Sequence, residues 1–281
     1  VQDDDAILAD SQRLVEAHHD RSPGAMTRIA LAPCSPFSVS IELMTRTAEL
    51  AADLDVRLHT HLCETQDEDA FCLERFGRRP VDYLQDVGWL DDRTWLAHVV
   101  WPDAAEVGRL GAARVGAAHC PSSNMILGSG LAPVRELRAA GAPVGLGVDG
   151  SASADSASLW LEARTAMLQG KLRGGAGSTT ARDALEMATR GGAACLGRTG
   201  EIGELSVGAC GDLAVWSLEG VAFAGALSDP VEAWLRCGPT AARHTVVGGR
   251  FVVEDGVAVH PGLDEQLALH RRVSDRVQAP L

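Results

Sequence analysis

Arg57-Leu58-His59-Thr60-His61-Leu62-Cys63-Glu64 is the stretch on which the reading of this chain turns. The run from Val56 to Leu62 predicts a short strand with one buried face. His59 and His61 are two residues apart, so both imidazoles leave the same face of that strand, and Glu64 follows just beyond its end. A strand that aims imidazoles to one side and delivers a carboxylate at its carboxyl-terminal lip suits a divalent metal with proton transfer beside it. Taken alone, the same pattern is a strand with satisfied core histidines. The later strand ends favour the functional reading.

Working outward, the spacing predicts further strands over Arg28–Ala32, Trp95–Val100, Arg114–His119 and Pro143–Val148. Helical patterns lie between and around them: Asp3–His19, Ser40–Leu54, Thr65–Leu84 with a break near Gly77–Pro80, Pro102–Leu110, Pro133–Ala140, Ser156–Arg173 and Thr180–Leu196. Cys120–Gly130 reads as a loop. Alternation of this kind specifies a parallel α/β sheet with helical crossovers. The five strands end at or beside Cys34, Glu64, His98, His119 and Asp149. In a (β/α) barrel the carboxyl ends of the strands converge on one site, and packing alone would prefer apolar residues there. After Gly197 the texture changes: Asp212–Trp216 and His244–Val253, with Gly248-Gly249 as a hairpin turn, predict a small β module, and the polar tail beyond Gly262 a surface helix. The expected domains are 1–200, 201–262 and 263–281.

The formal charge of −13 argues against a nucleic-acid groove or an anionic membrane as partner. No apolar run reaches the ~18 residues of a membrane span, and Val1-Gln2-Asp3-Asp4-Asp5 has no signal-peptide character. Seven cysteines without a CxxC pair predict free thiols and a cytoplasmic setting. Lys171 is the only lysine and sits in a glycine-rich stretch away from any strand end, which disfavours Schiff-base chemistry. The chain starts without an initiator methionine, so it is expected to begin inside a longer protein.

Four motifs carry a resemblance: HTHLCET at 59–65, LAHVV at 96–100, VGAAHCPSSNMILGSGLAPV at 115–134 and GLGVDGSAS at 145–153. Together they resemble the amidohydrolase superfamily, in particular the aminohydrolase branch that deaminates purines and related heterocycles or dechlorinates triazines. Within it, LAPCSPFSVS at 31–40, the HCPSSNM stretch and FAGALSDPVEAWLRC at 223–237 are most similar to 8-oxoguanine deaminases. The resemblance implies the last five strands of a (β/α)8 TIM-type barrel with part of a small β-sandwich domain. It implies His61 as a metal ligand, Asp149 as both ligand and base for the hydrolytic water, and Glu64 as proton carrier to a ring nitrogen. His98 would bond the attacking water or polarise the site without necessarily binding metal. His59 is expected in a second layer, and Cys34 and His119 along the substrate pocket. One divalent ion is implied, zinc before iron, with 8-oxoguanine as substrate ahead of guanine, adenosine-type or triazine alternatives, and a homo-oligomer.

One departure stands out. The family's barrel opens with a further HxH that supplies two more ligands, and nothing upstream of His59 offers it; His18-His19 has the wrong spacing. The expectation is therefore that strands one to three are missing, leaving five of eight, and that the chain alone binds metal poorly and turns over weakly. Two other readings compete. Gly145-Leu146-Gly147-Val148-Asp149-Gly150 matches GxGxxG, although its glycines fall within the strand and Glu162 within a helix, against the dinucleotide pattern. A non-catalytic partial α/β scaffold would explain the absent HxH, but not the intact His61, Glu64, His98 and Asp149. Trp89, Trp95 and Trp101 cluster around the third strand and read as core or interface residues before base-stacking ones.

Overall fold

Five strands in chain order, β1 (Ala30–Leu31), β2 (Arg57–Leu62), β3 (Thr94–His98), β4 (Gly116–His119) and β5 (Val144–Leu146), form one parallel sheet in the computed structural model, which describes residues 3–154 and 156–279. The sheet order is β1-β2-β3-β4-β5, so each strand lies beside its predecessor. A dinucleotide fold reverses its strand order at a switch point; this sheet does not, and the GxGxxG reading falls with it. Its glycines serve packing. A Cβ on Gly145 would meet the Gly192 Cα at 2.8 Å, and one on Gly147 the Cys120 Sγ at 2.8 Å. Glu162 is buried and accepts from the Ser122 amide at 3.0 Å.

β2 alternates as its pattern requires. Leu58, Thr60 and Leu62 are buried, while Arg57, His59 and His61 are half-buried on the opposite face. The buried face meets the helices: Leu58, Leu62, Leu96, Ala117 and Val144 join Met44, Leu84, Leu110, Leu137 and Met167 in one apolar core. Trp89 belongs to it and donates its indole N–H to the Met44 carbonyl at 2.9 Å. Local chemistry sets the helix limits. Ser40 caps Ile41–Asp53, Gly77 ends Gln66–Phe76 at φ 68°, and Asp103 and Glu106 form a capping box on Ala104–Ala112.

One expectation is corrected and two details are added. Cys120–Gly130 contains a helix, Pro121–Ile126, because the long helix Leu159–Gly174 braces it: Gln169 Nε2 donates to the Pro121 carbonyl at 2.9 Å, beside the Glu162 bond above. The helix from Ala181 to Cys195 passes through a π turn at Met187–Gly191, where glycine lets it approach β5. A Cβ on Gly191 would lie 2.1 Å from the Val144 carbonyl oxygen. A further helix, Pro230–Cys237, starts with Asp229 accepting from the amides of Val231 and Glu232.

A separate antiparallel sheet runs β6 (Leu213–Val215), β7 (His244–Val247), β8 (Arg250–Glu254) and β9 (Val257–Ala258), with Gly248 at φ 56° and Gly249 at φ 76° making the turn. The terminal helix Leu263–Gln278 buries none of its residues. All seven cysteines are free, and Lys171 bonds the Ala176 carbonyl at 2.7 Å. Among the described residues no helix is long and apolar enough to cross a membrane.

Gly145→Ala is expected to lower stability by about 1–3 kcal/mol, since the atoms it meets are backbone and cannot swing aside. A denaturation midpoint equal to that of the unsubstituted chain would contradict this.

Candidate active site

Adjacent strands in parallel register bring the site together. His61 pairs with Ala97, and Leu62 with His98, so β2 and β3 end side by side. At these ends the backbone leaves the sheet through left-handed conformations on residues that are not glycine: Cys63 at φ 56°, His98 at φ 70°, Val99 at φ 48° and Asp149 at φ 66°. Such conformations disfavour L-residues and persist where the surroundings over-determine them. They turn His98, which strand alternation alone would send toward the helices, into the group formed by its neighbours.

One ligand atom from each of His61, His98 and Asp149 lies within 4.8 Å of the others. His98 Nε2 is 3.6 Å from Glu64 Oε2 and 4.0 Å from Asp149 Oδ2. Each imidazole is oriented from behind. His61 Nδ1 donates to the Cys34 carbonyl at 2.7 Å, which leaves its Nε2 free. His98 Nδ1 donates to Asn124 Oδ1 at 2.9 Å, so its Nε2 turns a lone pair toward the carboxylates. Two imidazole lone pairs and a carboxylate at one point form an acceptor set that a cation relieves. Nitrogen and oxygen donors backed by carbonyl and amide partners fit zinc or a similar divalent ion. Burial alone would raise the Asp149 carboxyl, but bonds from Ser123 Oγ, the Gly150 amide and Ser153 Oγ hold it below the ordinary range. Ser129 Oγ donates to Glu64 Oε1 at 3.3 Å, and the Trp101 indole N–H holds the Ser129 carbonyl at 2.7 Å.

The remaining sequence-predicted residues fall as follows. His59 lies on the His61 face, one layer down, stacked on Trp95 with ring centroids 4.7 Å apart. Cys34 is exposed and serves His61 through its carbonyl oxygen. His119 lies outside the group of ligand atoms: strand alternation puts it on the side of Ala117, where it is 3% exposed and lines a cavity between the helices Val134–Ala140 and Leu159–Gly174. Ser123, Asn124, Ser129 and Ser153 were not singled out from the sequence. Each is a small polar residue in a turn-rich stretch, and only its contact with the site gives it a role: Asn124 with His98 and Ser123 with Asp149 across 26 residues, Ser129 with Glu64 and Ser153 with Asp149.

His61, His98 and Asp149 placed to receive a divalent ion at the carboxyl ends of parallel strands point to a class, and the amidohydrolase family model matches residues 2–256; the chain belongs to that family. It is 52% identical over 279 residues to an 8-oxoguanine deaminase of Pseudomonas aeruginosa, an alignment that covers 99% of this chain and 62% of that protein. To hydroxydechloroatrazine ethylaminohydrolase of Pseudomonas sp. strain ADP it is 38% identical, over 93% of this chain and 54% of the relative. Among solved structures, atrazine chlorohydrolase from Arthrobacter aurescens complexed with zinc superposes with a TM-score of 0.91 at 36% identity, covering 97% of this chain and 60% of the other. The chain thus spans about three fifths of the length of these proteins.

Asn124→Ala is expected to weaken divalent-ion affinity or activity about 10- to 100-fold by freeing the His98 ring; competition with a chromogenic chelator measures it, and unchanged affinity together with unchanged turnover would contradict it. A second expectation concerns pH. Burial pushes His119 down to about 4, with a smaller contribution from His98, so the fold holds it neutral. The unfolded imidazole binds its proton near 6.5, so the stability this provides is complete above that pH and is lost as pH falls toward 4, by at most about 1.4 kcal/mol per unit. The smaller but non-titrating His119→Asn should flatten that part of the stability–pH curve, whatever its effect on overall stability; parallel curves would count against it.

Proposed function

We propose that this chain forms the catalytic part of a divalent-metal aminohydrolase that hydrolytically deaminates a purine-like heterocycle, with 8-oxoguanine the leading substrate. The observation that carries the reading is the convergence of His61, His98 and Asp149 with Glu64 beside them. A divalent ion held by His61 and Asp149, with His98 within reach, would supply a positive charge that brings the pKa of water close to neutrality. Asp149, kept ionised by its serine and amide donors, takes the proton of the attacking water at a carboxylate oxygen. His98 accepts a hydrogen bond at Nε2 and so aligns that water. Glu64, steadied by Ser129, passes a proton to a ring nitrogen and relieves the charge that attack pushes onto the heterocycle; ammonia leaves after a second transfer.

The five-stranded sheet is proposed as an arc of an eight-stranded barrel, and the antiparallel sheet as part of a β-sandwich, over the boundaries 1–200, 201–262 and 263–281. The half-buried imidazole face of β2 supports this, since a barrel interior would cover it. Further proposals are zinc before iron, a cytoplasmic setting and a homo-oligomer, with neither nucleic acid nor membrane as partner.

The test offers 8-oxoguanine, guanine, adenosine and a hydroxy-triazine to the protein and measures ammonia release alongside bound metal. Ammonia from 8-oxoguanine above the others, lost on chelation and restored by zinc, is the expected result. No turnover of any of the four by metal-loaded protein that contains this chain within its full reading frame would sink the proposal.

A further inference from the structure

Glu68 is a buried carboxylate to which the metal site gives no part. It is 2% exposed and lies in the first turn of Gln66–Phe76, three residues after the capping residue Thr65. A glutamate there normally folds back onto the amide of the capping residue itself. This one reaches further: Oε1 accepts from the Cys63 amide at 2.9 Å and Oε2 from the Glu64 amide at 2.8 Å. Those are the two peptide groups at which the chain breaks out of β2, with Cys63 at φ 56° and fully buried. The Cys63 carbonyl is held as well, accepting from the amides of Val100 and Trp101 at 2.8 and 2.9 Å. A left-handed residue gripped at both its amide and its carbonyl has one orientation, and the next residue along is Glu64.

We propose that Glu68 is a positioning residue for Glu64, clasping the strand-end turn so that the Glu64 carboxylate is presented between His98 and Ser129. The proposal rests on the reading of Glu64 as proton carrier. A surface cap would leave its carboxylate to water, whereas burial with both oxygens on consecutive amides ties the helix start to the strand end. Burial pushes the Glu68 carboxyl up to about 7, and the two amide bonds oppose that rise.

The test compares Glu68→Gln with Glu68→Asp, which keeps the charge but withdraws it by one methylene, and with Asp67→Asn on the exposed side of the same turn as control. Amide hydrogen exchange needs no turnover: both Glu68 variants should speed exchange at Cys63 and Glu64 about tenfold or more while the rest of β2 stays protected. In the metal-loaded enzyme, kcat should fall about tenfold with KM and bound metal within about twofold, and the control should match wild type. Unchanged exchange at both amides overturns the clasp. So does a general loss of protection with unchanged kcat per folded molecule, the mark of a merely structural cap. Wild-type protein that deaminates nothing would sink the proposed function, while the exchange result would still decide the clasp.

Discussion

Everything at the site depends on parallel strands that end in register and then break left-handed. The pairing of Leu62 with His98 sets two strand ends level. Positive φ at Cys63, His98 and Asp149 then rotates the following groups out of the pleat. Each such conformation is disfavoured by about 1–2 kcal/mol for an L-residue. The surrounding bonds keep them in place: the Cys63 carbonyl takes two amides from the β3 exit, and the Gly147 amide is tied to the His119 carbonyl at 2.8 Å. Without the breaks, strand alternation would turn His98 into the helix layer, as it does His119.

Behind the site the supporting interactions are stacked in layers. The helix Leu159–Gly174 uses Glu162 and Gln169 to brace Pro121–Ile126. That short helix in turn offers Ser123 to Asp149 and Asn124 to His98. Orientation therefore runs from the buried helix layer to the imidazole and carboxylate, and the donors need not be ordered by a metal before they can receive one.

Much of this was legible in the chain. The period-two alternation of β2, the rhythm of strands and helices, the Ser40 cap and the Gly248-Gly249 turn all follow from local sterics and from hydrophobic patterning. A residue's immediate neighbours determine these, so the sequence carries them. The chemistry-bearing residues at strand ends could be seen for the same reason, because a polar residue at the end of an apolar run is conspicuous. Other contributions were invisible. Pro121–Ile126 reads as loop because its bracing comes from residues 40 and 48 positions away. Asn124 and Ser129 are ordinary turn residues until the fold sets them against His98 and Glu64.

His98 and His119 show where the division lies. Both close apolar strands of the same sheet, and both were candidates for one site. The sequence determined that each would sit at a strand end within an amidohydrolase framework. Only the tertiary structure decided which of them faces the carboxylates, because direction at a strand end depends on one backbone angle. Contacts from distant segments hold that angle, and residue type leaves it open.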